Sequence, residues 1–141
     1  MMKVVQGGGE GDQLADERAA LGGALQDMQG MLGVMIGQAM ASDTRMEGGD
    51  VTNLYKVGQN TTRLLMAAGD VVVGWLLLRQ AEVAAAKLAA GGCSAADTAF
   101  YQGKVAAAKF FAQQVLPKIK SELKIAQKID NALMEVPEEA F

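Results

Sequence analysis

The chain has 141 residues and a formal charge of −3, with no histidine and a single cysteine. Those counts exclude a Ser-His-Asp or Cys-His pair, an HExxH zinc site, a two-histidine-one-carboxylate iron centre and an intrachain disulfide. Half the residues are apolar and about a fifth charged, which suits one packed domain; the mild acidity argues against a nucleic-acid footprint.

The chain opens on Met1-Met2-Lys3-Val4-Val5-Gln6, an apolar run too short for a signal peptide, followed by glycines at 7–9 and 11. Residues 1–11 read as a flexible linker. A phosphate-cradling loop is the rival reading, but no Gly-Lys-Ser/Thr occurs anywhere in the sequence. Beyond the linker, prolines are confined to Pro117 and Pro137, while Gly48-Gly49 and Gly91-Gly92 divide the chain into three long stretches rich in helix formers.

The first stretch, about 12–41, places Leu14, Leu21, Leu25, Met28, Leu32, Met35 and Ala39 at steps of three, four or seven, a heptad-type seam. Five glycines fall inside it, each costing about 1 kcal/mol against alanine in a helix. Close approach of a neighbouring helix to Gly33 and Gly37, four residues apart, would offset that cost; local flexibility is the alternative. Met28 and Met35 are the companion candidates for this packing surface. Met28, Met31 and Met35 suit a core or adaptable interface better than a soft metal.

The second stretch opens at Asp50, a candidate N-cap, and runs to about Ala90. Leu54, Val57, Thr61, Leu64, Ala68, Val71, Trp75 and Leu78 form its seam, and Leu65, Val72 and Leu76 form a second stripe that predicts more than one neighbour. Lys56, Arg63 and Asp70 are expected on a solvated face. Uninterrupted, this helix is ~60 Å long, so the bundle is elongated or the helix breaks near Gly69 or Gly74. Its most apolar run, Val71 to Leu78, has only eight residues against the roughly twenty of a membrane span. It is expected to be the buried middle of a soluble helix in a cytoplasmic protein.

Ser94 with Asp97 approximates a capping box at the start of the third stretch. Tyr101, Val105, Ala108, Ala112, Val115 and Ile119 follow as a seam, and Pro117 predicts a kink, with helix continuing to about Leu133. Cys93, just before this helix, lacks an evident base and reads as an incidental loop thiol. Lys104, Lys109 and Lys118 belong to a lysine-rich region that is either a solvated face or a surface for an anionic partner. The expected fold is an all-α antiparallel bundle of three to four long helices over residues 12–134, followed by an irregular acidic tail at 135–141. A di-iron bundle site would need Glu-x-x-His pairs and is excluded.

The run Phe100-Tyr101-Gln102-Gly103-Lys104-Val105-Ala106-Ala107-Ala108-Lys109-Phe110-Phe111, then Val115-Leu116-Pro117, resembles the C-terminal helical domain of a bacterial branch of acyl-CoA dehydrogenases. The branch includes enzymes similar to 3-methylmercaptopropionyl-CoA dehydrogenase. Lys3-Val4-Val5 with its glycines resembles the junction to that domain, and Pro137-Glu138-Glu139-Ala140-Phe141 resembles its usual C-terminus. The resemblance implies FAD, a glutamate base for the α proton and hydride transfer from Cβ, all in preceding domains. No catalytic, FAD-binding or metal residue is therefore assigned to this chain, and Met1 is expected to mark the start of a fragment. The implied role is packing on catalytic domains of the same polypeptide or on a second subunit, in a homo-oligomer. The alternative is a stand-alone self-association or scaffold module.

Overall fold

The computed structural model describes residues 13–140; the glycine-rich segment 1–11 and Phe141 lie outside them. Among the described residues four α-helices follow in order: α1 (Ala15–Met40), α2 (Asn53–Ala90), α3 (Ala95–Gln114) and α4 (Lys118–Lys128). Short 3-10 turns at Ala132–Glu135 and Glu138–Ala140 complete the chain, and no strand occurs among the described residues. The all-α class follows from the helix-former composition and the three-four periodicity.

The connection from α1 to α2 is a tight knot of local bonds. Asp50 N–H donates to the Ala41 carbonyl at 2.9 Å, and the Asp50 carboxylate accepts from Thr52 N–H and the Thr52 hydroxyl at 2.9 and 2.7 Å. Those bonds hold the Asp50 carboxyl below the usual carboxylate range. Asp50 thus organises the turn before α2, with Asn53 as the first helical residue. The α2 helix then runs unbroken for 38 residues, past both Gly69 and Gly74. Gly74 serves packing here: a Cβ there would lie 3.2 Å from a Leu116 methyl and 3.5 Å from Leu21.

α1 and α3 both run antiparallel to α2. Arg18 near the start of α1 pairs with Glu82 near the end of α2, and Lys104 of α3 reaches Gln80 of α2. Pro117 interrupts the third stretch. The helix ends at Gln114, a turn occupies 115–117, and α4 restarts at Lys118 with Pro117 as its cap. A proline offers no N–H to the preceding turn but fits a helix start at φ −62°. The break redirects the chain: α3 packs chiefly on α2, and α4 chiefly on α1.

α4 stops at Lys128, short of the expected Leu133. Asp130 and Asn131 compete with helix continuation. The Asp130 carboxylate accepts from Ala132 N–H at 3.1 Å, and the Asn131 amide donates to the Thr52 carbonyl at 3.2 Å, tying this end to the start of α2.

The core contains Leu14, Leu21, Met31, Val71, Leu78, Leu116 and Ile119, with alanines of all four helices between them. It departs from the expected seams in three places. Leu32 is 44% exposed, and Ala24 and Met31 take the inner positions of α1. The run 71–78 is only half buried: Val71, Gly74 and Leu78 face in, while Val72, Val73 and Leu76 are exposed. Lys56, Arg63 and Asp70, expected in solvent, are partly covered, with Arg63 bonded to Glu122 of α4 at 2.6 Å. Among the described residues the neighbours of α2 lie mainly on one side, so its charged stripe meets α4 while Leu65 and Val72 of its second apolar stripe stay exposed and Leu76 borders the groove towards α3.

Candidate functional site

A cleft of about 520 Å³ opens between α2 and α3. Trp75, Leu76, Val83 and Phe100 give it apolar walls, and Arg79, Gln80, Tyr101 and Lys104 add polar groups. Phe100 and Tyr101 meet edge to face, with ring centroids 5.6 Å apart. Lys104 is held twice: Nζ donates to Gln80 Oε1 at 3.0 Å and lies 5.3 Å from the centre of the Phe100 ring. Trp75 and Tyr101, seam residues by their spacing, are half-buried, with Trp75 packed against the core, and they also line this cleft, while the seam spacing does not single out Phe100 or Arg79. The adjacent aromatics 100–101, one helical turn before Lys104, were the available signal.

The three candidate lysines do not share one surface. Lys104 lines this cleft, while Lys118 lines a second hollow with Arg63, Asp70 and Glu122. Lys109 is exposed and lines neither. In the second hollow the two carboxylates offset the cations, so it is not a simple anion receptor.

The glycines of α1 also separate by role. A Cβ at Gly30 would lie 3.1 Å from the Leu123 methyls, so the close approach of α4 to α1 falls there. Gly33 and Gly37 are exposed and have no described atom within 4 Å of a Cβ position, so none of the described helices covers them. They lie beside exposed Leu32, Ile36 and Met40. Met35 is buried and Met28 packs partly against the core.

Cys93 is half-buried, with its thiol 3.6 Å from the Lys87 carbonyl. Among the described residues no group of three or more Asp, Glu or Cys side chains is disposed to hold a metal ion. What the arrangement offers instead is uncovered apolar surface on α1, α2 and α3, including Ile36, Leu65, Val83, Phe100 and Phe110. Patches of this kind mark interaction sites. α2 is also long and apolar enough, by length and composition alone, to cross a membrane.

Comparison with known proteins bears on what this surface meets. A family described as acetyl-CoA dehydrogenase C-terminal like matches residues 1–137. The broad-specificity linear acyl-CoA dehydrogenase FadE5 of Mycobacterium tuberculosis is 44% identical over all 141 residues, which make up 22% of its own length. Two butyryl-CoA dehydrogenases of Syntrophomonas wolfei are 42% and 40% identical over 80 residues, 57% of this chain and 13% of theirs. The chain therefore spans less than a quarter of the length of these relatives.

Proposed function

This chain belongs to the acetyl-CoA dehydrogenase C-terminal-like family, and we propose that it is the non-catalytic helical domain of a longer, FAD-dependent acyl-CoA dehydrogenase. The observation that carries this reading is the 44% identity over the whole chain to a fraction of an acyl-CoA dehydrogenase. The domain's role is to pack against the catalytic body or a second subunit, and the uncovered apolar faces of α1 and α2 support it.

Bound FAD supplies the acceptor for the hydride from the acyl-CoA. The α2–α3 cleft does not fit a flavin. The walls of the α2–α3 cleft are helix interiors whose backbone N–H groups are already bonded within the helices, so no backbone cradle faces a diphosphate there. The flavin, the base and the acyl-CoA are assigned to other domains of a cytoplasmic enzyme. Gly33, Gly37, Met28 and Met35 remain candidates for the helix-packing surface, as do Lys104, Lys109 and Lys118 for contact with an anionic partner such as the CoA phosphates.

Two measurements test this reading. The reading frame upstream of the chain is expected to encode flavin-binding and catalytic segments. A stop codon followed directly by a ribosome site would favour the stand-alone scaffold, the reading that the same bare apolar faces would otherwise support. The purified 141-residue chain is expected to carry no flavin and oxidise no acyl-CoA; a flavin spectrum or turnover would sink the non-catalytic assignment.

A further inference from the structure

The outer side of α2 carries a seam that the other described helices leave largely exposed, with Leu76 at the rim of the α2–α3 cleft. Leu54, Gly58, Leu65, Gly69, Val72 and Leu76 follow at steps of four, seven, four, three and four, the spacing of one helix face. The large residues are well exposed, Leu65 at 70%. A Cβ at Gly58 or Gly69 would meet no atom within 4 Å. Thr61, within the same face, turns its hydroxyl back to the Val57 carbonyl at 3.0 Å, which satisfies its polar group inside the helix. The charged residues of this span, Lys56, Arg63 and Asp70, are partly covered, with Arg63 directed to α4. The result is an uncharged ridge about 33 Å long, at 1.5 Å per residue, with leucine knobs at 54, 65 and 76 and glycine notches at 58 and 69.

The order of knobs and notches identifies the occupant. In an antiparallel pair of identical helices, residues equidistant from the two-fold axis face each other. Gly58 and Leu76 are symmetric about position 67, and so are Leu65 and Gly69. One register therefore seats Leu65 and Leu76 of each copy over Gly69 and Gly58 of the other, a knob-into-hole fit repeated four times across the axis, with Leu54 opposite Gln80. The same register brings Val51 opposite Val83, both exposed and apolar.

We infer that α2 is a self-association surface that pairs antiparallel with α2 of a second copy, on a two-fold axis near position 67. This deepens the packing role proposed above by naming the face and its partner.

Disulfide trapping and sedimentation test the register. In a Cys93→Ser background, the double variant Leu65→Cys/Gly69→Cys is expected to oxidise to a covalent dimer, whereas Leu32→Cys, on the outer face of α1, is not. Leu65→Glu is expected to weaken association at least tenfold while leaving the helical circular dichroism of the dilute chain unchanged, because Leu65 touches little of its own fold. A chain that stays monomeric at high concentration would overturn the inference, as would a dimer indifferent to Leu65→Glu. Leu65-dependent attachment to lipid vesicles or to a flavin-bearing partner, without self-association, would also overturn it while leaving the appended-domain reading intact. Trapping through 65 and 69 alongside a stop codon directly upstream would do the reverse, supporting this pairing and removing the appended-domain reading.

Discussion

At the scale of single residues, the glycines show how one residue type takes three physical roles. Gly30 and Gly74 accept the side chains of neighbouring helices, Gly49 closes a turn, and Gly33 leaves a helix face bare. Their substitutions should differ in sign. Gly33→Ala adds helix propensity with nothing to strike, so the isolated chain is expected to gain about 0.5–1 kcal/mol. Gly49→Ala would drive a Cβ into the Asp43 carbonyl and is expected to cost more than about 1 kcal/mol. Urea unfolding with an unchanged slope measures both, and equal shifts would contradict the assignment. Helix propensity treats all the α1 glycines alike and the four-residue spacing points to Gly33 and Gly37, because both are local quantities, whereas the close approach of α4 falls at Gly30. Which glycine is approached depends on where the chain returns after Pro117, a fact encoded about eighty residues away.

At the scale of elements, the boundaries legible in advance were those made by local chemistry. Ser94 caps α3 by accepting from Asp97 N–H at 3.1 Å. The expected reciprocal half of the box is replaced by a bond from the Ser94 hydroxyl to the Asp97 carboxylate at 2.8 Å, consistent with an Asp shorter than the usual Glu. Ser94→Ala should therefore cost about 1 kcal/mol and fray the first turn of α3, seen as faster amide exchange at residues 95–98. Unchanged exchange there would mean that α3 is held by α2 alone. Pro117 was legible as a disturbance, yet a proline pattern does not distinguish a bent helix from two helices. The separate partners of α3 and α4 decide that. The end of α4 was missed because helical phase continues on paper through Leu133, while the bond from Asn131 to Thr52 spans the fold.

For the whole molecule, α2 belongs to two environments, a core on one side and open apolar surface on the other. If that surface pairs with a second copy, folding and association are linked. The melting midpoint is then expected to rise by several degrees when chain concentration is raised a hundredfold, and Leu65→Glu is expected to abolish the rise. A midpoint independent of concentration would show that the monomer is the complete folding unit. Composition and three-four periodicity determined the all-α class and the positions of the long helices, and the runs 100–117 and 137–141 carried the family resemblance, since each depends on residues near one another in the chain. Only the tertiary structure decided which apolar stripe of α2 is core and which is bare. Periodicity reports that a face is apolar, but burial depends on whether another segment arrives to exclude water from it. Around Leu65 and Gly69 of α2, no described segment does.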